Sequence, residues 1–120
     1  MTLLPGAQHA QDSWMAELQL WAVSNGASTW IIDLEPYVMC RVVGVVQRVR
    51  IDPVNGWLRA TVTDGTEEVV ARWFIRRPTP ELAAAPGRGV ALEGIARIDD
   101  DGELVLCEPA LQTLRFPQIG

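Results

Sequence analysis

Apolar residues recur along this chain with two different periods, and the change of period divides it. Trp14, Leu18 and Trp21 fall at i, i+4 and i+7, with Met15 and Ala22 flanking that stripe. This is the spacing of one face of an α-helix. Asp12 or Ser13 supplies an N-terminal cap and Asn25-Gly26 a C-terminal stop, so an amphipathic helix is predicted over 12–26. Residues 1–11 carry no period and read as a mobile tail. The helix holds two tryptophans on one side, a large apolar surface that something must cover.

From Ala27 onward the helical period vanishes and β-formers dominate. Trp30-Ile31-Ile32 reads as a short extended piece that ends before Glu35-Pro36. A long strand is predicted from Val38 to Ile51, with Gly44 in its middle marking a bulge or a sharp bend. Asp52-Pro53-Val54-Asn55-Gly56 is a turn by its chemistry. A second strand, Trp57 to Thr63, alternates Leu58, Ala60 and Val62 with Trp57, Arg59 and Thr61. Asp64-Gly65-Thr66 turns the chain into a third strand, from about Glu68 to Ile75. There Val69, Ala71, Trp73 and Ile75 share one face, which makes Trp73 a core residue, and Val70, Arg72 and Phe74 share the other. Pro78 and Pro80 break the sheet, and Glu81–Ala85 has room for one helical turn. Pro86-Gly87 leads into a fourth strand, Val90 to Ile98, with Val90, Leu92, Gly94 and Ala96 on one face. Asp99-Asp100-Asp101-Gly102 turns into a fifth, Leu104 to Cys107, which stops near Pro109. Five short strands, a long bent first one and a helical interruption after the third match an all-β architecture. The expected one is the five-stranded Greek-key barrel called the OB-fold, here over 27–116 with an added N-terminal helix, and the alternative is another small all-β barrel or sandwich.

Composition adds constraints. The 120 residues are 48% hydrophobic, enough for one domain whose core needs no metal or disulfide. The longest apolar run, Val42 to Val46, is far short of a membrane span. The first residues, MTLLPGAQHAQD, lack the basic and apolar regions of a signal peptide, so a cytoplasmic protein without membrane contact is expected. All ten basic residues are Arg, set against fifteen acids for a net charge of −5. The charge is segregated: −4 over residues 1–37, +3 over 38–77 and −4 over 78–120. The acidic whole opposes strong nonspecific binding to polyanions, while one stretch is locally basic. Cys40 and Cys107 lie in apolar runs and read as structural thiols, with a bridge or reactive chemistry as the alternatives.

The turn and the strand after it carry a resemblance. Val62-Thr63-Asp64-Gly65-Thr66 followed by Val69-Val70-Ala71-Arg72-Trp73-Phe74 resembles the nucleic-acid-binding OB-folds of the anticodon-binding and helicase type. It looks most like the wedge domain of RecG-type helicases and small stand-alone actinobacterial OB-fold proteins. Ser28 to Val46, with Ile32-Asp33-Leu34 and Gly44, matches the lead-in. Pro86-Gly87-Arg88, Gly94 and Glu108-Pro109 match the later part, so the resemblance covers about residues 28–114. Glu67 stands where relatives usually have Gly, and Glu108 where they often have Asn. Both departures add negative charge.

Catalysis finds little support in the residues. His9 is the one histidine and has no Ser or Cys arrangement around it. No phosphate loop, Rossmann glycine pattern or zinc spacing is present, so no cofactor or metal is expected. Asp99-Asp100-Asp101 with Glu103 lacks calcium-loop spacing and reads as a solvated hairpin tip. Asp33 and Glu35 read as loop or strand-edge residues.

What remains is a surface of Trp57, Arg59, Arg72 and Phe74 on the second and third strands, extended by Arg76 and Arg77. Rings on a sheet stack bases, and arginines hold phosphates. The expectation is a non-enzymatic protein that binds single-stranded or branched DNA or RNA weakly, as an auxiliary module. Alternatively Trp57 and Phe74 pack under the N-terminal helix. The chain would then be a protein-interaction or homodimerisation module that uses the helix bearing Trp14 and Trp21.

Overall fold

The computed structural model describes residues 7–74 and 86–115, with side chains from residue 14 onward. A helix α1 (Ala7–Ser24) and a single 3-10 turn (Ile31–Asp33) precede six strands. These are β1 (Met39–Asp52), β2 (Trp57–Thr63), β3 (Glu68–Phe74), β4 (Gly89–Ile98), β5 (Leu104–Cys107) and β6 (Ala110–Leu114). The five expected strands are all present, with ends within a residue or so of the sequence reading. Ile75 and the expected helical turn over Glu81–Ala85 lie outside the described residues.

Three elements differ from expectation. Helix α1 begins at Ala7, so residues 7–11, read as tail, are helical. Trp30-Ile31-Ile32 is not extended, because the chain winds into a 3-10 turn there. Its amides are taken by the turn between β2 and β3: Ile31 N–H donates to Asp64 Oδ2 at 2.8 Å and Ile32 N–H to Thr66 Oγ1 at 3.2 Å. Beyond Glu108-Pro109 the chain also resumes as β6 rather than ending its sheet contribution.

Strand order closes the barrel. β1 pairs antiparallel with β2, β2 with β3, and β4 with both β5 and β1. The last seam, β3 with β5, is parallel. β6 pairs with β4 over the segment that also pairs with β1. A single strand serves two sheets at β1: Met39–Val45 faces β4 and Val45–Asp52 faces β2. Gly44 sits at this crossing, where a Cβ would fall on the Thr63 carbonyl and on Val62 Cγ1. Gly44 is therefore a close-approach residue. The bulge itself lies three residues on, where the register slips between Val46 and Arg48.

The barrel interior is filled by Val42, Val46, Leu58, Ala60, Val62, Val69, Ala71, Trp73, Val90, Leu92 and Leu106. Trp73 is buried as expected, and its indole N–H donates to Pro109 O at 2.9 Å. A second, smaller core lies outside the barrel. Leu18, Trp21 and Ala22 of α1 cover Val43 of β1 and Ala91 of β4, with Trp30, Val45 and Leu114 at its margin. Gly89 leaves room for this contact, since a Cβ there would meet the Trp21 ring at 2.7 Å. Trp21 Nε1–H donates to Arg115 O. The helix ends where Asn25-Gly26 predicts: Gly26 adopts φ +86°. Its N–H reaches Val23 O, and Ala27 N–H reaches Ala22 O, a Schellman closure. Arg41 then donates to Asn25 O and pairs with Glu93 at 2.7 Å, tying the helix end to β1 and β4. Among the described residues no helix is long and apolar enough to cross a membrane.

Candidate functional site

The described side chains of the helix pack on Val43 of β1 and Ala91 of β4, not on the outer face of β2 and β3. The alternative in which Trp57 and Phe74 pack under the helix is therefore overturned. Register explains what that face carries. Leu58, Ala60 and Val62 of β2 and Val69, Ala71 and Trp73 of β3 point inward. Their neighbours in each strand must point out. Trp57 stands directly opposite Phe74, Arg59 opposite Arg72, and Thr61 opposite Val70.

The two rings stack on each other, with centroids 4.0 Å apart and planes 22° from parallel. The Arg72 guanidinium lies over the indole, 4.9 Å from its centroid, a cation–π contact worth about 0.5–2 kcal/mol depending on solvation. Arg72 Nη2 also donates to Cys107 Sγ at 3.4 Å. Arg72 Nε is buried with no hydrogen-bond partner among the described residues. Phe74, 36% exposed, forms the outer end of the set, and its N–H donates to Glu108 Oε1 at 3.0 Å. Glu108, at φ +49°, donates its own N–H to Arg72 O at 2.7 Å. Glu108 thus holds the end of β3 in place.

A groove of about 450 Å³ runs beside these residues, bordered by Trp57, Arg59, Arg72 and Arg97 and by Asp99 to Asp101. Its rim is two acidic hairpins. In the β1–β2 turn, Asp52 Oδ1 accepts from Val54 and Asn55 N–H and Oδ2 from Asn55 Nδ2. The Asn55 side-chain bond, then the backbone bonds and the nearby Arg59 charge, hold the Asp52 carboxyl below its ordinary value. In the β4–β5 turn, Asp99 Oδ1 accepts from Asp101 and Glu103 N–H at 2.9 and 2.8 Å. This carboxylate organises the turn, and no group of acids, Cys or His able to hold a metal occurs among the described residues.

Of the expected site residues, Trp57, Arg72 and Phe74 form one contact set, and Arg59 continues it along β2. Arg76 and Arg77 lie outside the described residues. The sequence reading missed Arg48, Arg50 and Arg97, which border the same face. A signal existed. The inward positions of β1 are even-numbered at Cys40, Val42 and Val46 and then odd at Val49, so a one-residue slip must intervene, and it turns Arg48 and Arg50 outward. The cysteines are both free. Cys40 is buried, which pushes its thiol up from the usual value.

No protein-family profile and no curated sequence matches the chain. Solved structures do. A RecG helicase bound to a three-way DNA junction matches at TM-score 0.58 and 19% identity, over 70% of this chain and 12% of that one. This protein thus spans about an eighth of the RecG chain. An OBody bound to hen egg-white lysozyme matches at 0.59 and 14%, over 76% of this chain and 94% of the other. A replication protein A heterotrimer bound to single-stranded DNA matches at 0.54 and 11%, over 84% and 78%. These likenesses and the strand order agree: the chain is an OB-fold barrel with an added N-terminal helix.

Proposed function

We propose that this is a non-enzymatic, cytoplasmic OB-fold protein that binds single-stranded or branched nucleic acid weakly and acts as an auxiliary module. The observation that carries the reading is the set Trp57, Phe74, Arg72 and Arg59 on the outer face of β2 and β3, clear of the helix. It joins the two chemistries a single strand requires, a π surface for bases and guanidinium groups for phosphates. Two of the similar structures are bound to DNA, a three-way junction and a single strand, which supports the same ligand class here.

Magnitudes argue for weak binding. A stacked base gains about 1–3 kcal/mol. If it parts Trp57 from Phe74, it forfeits about 0.5–1.5 kcal/mol of ring contact. Phosphate contacts are made against a net charge of −5, which opposes the approach of a polyanion. The test is fluorescence anisotropy of a labelled single strand of about 20 nucleotides, DNA and RNA, titrated at several salt concentrations. Three phosphate contacts correspond to a log–log slope of about −2. Saturable binding with such dependence is expected, and absence of binding at low salt would refute the reading. A homodimer through Trp21 loses its handle, because Trp21 is 8% exposed and packed on its own barrel.

A further inference from the structure

The strand register places three arginines side by side across three strands. Arg50 of β1 is directly opposite Arg59 of β2, which is directly opposite Arg72 of β3. Arg48 lies in the next row, opposite Thr61. Like charges in directly opposed positions destabilise a sheet, by up to about 1 kcal/mol per pair. Such a row therefore needs a compensating partner. Core packing does not supply one, since Arg48 and Arg50 are exposed. Ion pairing supplies little: among the described residues the only carboxylate paired with the row is Glu103, 4.0 Å from Arg59. Asp52, near enough to feel Arg59, is engaged with Val54 and Asn55 of its own turn. Arg72 donates from Nη2 to Cys107 Sγ and lies over the Trp57 ring, which engages its charge within the sheet.

Beside the row lies a groove of about 580 Å³, bordered by Arg48, Arg50, Arg59, Thr61, Val70 and Glu103. It meets the groove at Trp57 and Arg72 through their common wall, Arg59. Among the described residues its lining holds no aromatic ring, so it offers guanidinium forks without a stacking surface. That suits phosphate oxygens rather than bases. We infer that Arg48 and Arg50 form a phosphate subsite on β1, which a bound single strand reaches by crossing from Trp57 and Phe74 over Arg72 and Arg59. This rests on the proposed function and adds the direction of the strand and the extent of its contact. The step from β3 to β1 is about 10 Å at about 4.8 Å per strand, room for about three stacked nucleotides.

Two added contacts steepen the salt slope of single-strand binding from about −2 to about −3.5. The experiment compares the native chain, Arg48→Gln/Arg50→Gln and Trp57→Ala by anisotropy between about 50 and 200 mM salt. The double variant is expected to flatten the slope by about 1.4, two contacts at about 0.7 each. Trp57→Ala is expected to lower affinity at every salt and leave the slope alone. Both arginines are exposed, so the double variant should melt no lower than the native chain. An unchanged slope in the double variant overturns the subsite while leaving the proposed function intact. If the native chain binds no strand, the functional reading fails by itself. The subsite is then decided by long-chain inorganic polyphosphate: shifted side-chain Nε–H resonances of Arg48 and Arg50 support it, and unshifted ones overturn it.

Discussion

Trp57 shows how one residue's role depends on its neighbours across the strands. Alternation along β2 was enough to point it outward, and alternation along β3 put Trp73 in the core. What alternation does not convey is that Phe74 and Arg72 both converge on the Trp57 indole, because that follows from the register and side-chain geometry across the β2–β3 hairpin rather than from the pattern within one strand. If this set is the stacking surface, Trp57→Ala should cost about 1–3 kcal/mol of strand affinity, a roughly 5- to 150-fold rise in Kd by anisotropy. Loss of less than twofold would remove Trp57 from the interface. Asp52 makes a different kind of prediction. Its folded carboxyl sits below the ordinary 3.8 because the charged form accepts from Asn55 and Val54. A depressed folded value means the stabilisation is fully present above the unfolded value and is lost as pH falls through the folded one. The carboxyl resonance should therefore titrate below 3.8. The stability difference between native protein and Asp52→Ala should shrink only under such acid, as denaturant melts over a pH series would show.

Among the elements, β1 decides most of the architecture, and it is where the sequence was read least completely. Gly44 stands out in the sequence, but a glycine in a strand signals a bulge, a bend or a close approach without saying which. The structure separates the roles: Gly44 admits the Thr63 carbonyl, and the slip at Gln47 shifts the phase. Gly44→Ala should therefore act by overpacking against backbone that has little room to yield, and lower stability by about 1–3 kcal/mol or more in denaturant melts. The 3-10 turn was missed for a related reason. Trp30-Ile31-Ile32 has strand composition, and local propensity lost to Asp64, a buried carboxylate 33 residues away that takes the Ile31 N–H. Helix α1 was legible from its stripe, yet its docking place was not, because nothing in the stripe names Val43 and Ala91. Trp21→Ala should free that helix at a cost of about 3 kcal/mol, with the barrel amides retaining their hydrogen-exchange protection. If strand binding also survives, helix and binding face are separate, as their placement on different strands implies.

Across the whole molecule, the charge segregation visible in sequence acquires a geometry. The stretch 38–77, net +3, contains β1, β2 and β3, and their register gathers Arg48, Arg50, Arg59 and Arg72 on one face. The acidic segments supply the rim, where Asp99 to Asp101 border the groove and Glu103 approaches Arg59. A polyanion reaching the arginines must pass these acids, so the rim should reduce affinity through long-range repulsion. Two unit charges about 10 Å apart in water interact by about 0.4 kcal/mol, close to a twofold effect per acid before screening. Asp100 and Asp101 are the acids to change: their side chains accept no hydrogen bond among those that hold the turn, whereas Asp99 does. Asp100→Asn/Asp101→Asn should tighten single-strand binding about fourfold at low salt, through faster association. The gain should fade as the Debye length falls to about 3 Å near 1 M salt. Tightening that persisted at high salt would mean that the aspartates touch the strand rather than repel it from a distance. No tightening at any salt would mean that the strand does not pass this rim, and the ligand face would have to be sought away from the groove at Arg72 and Arg97.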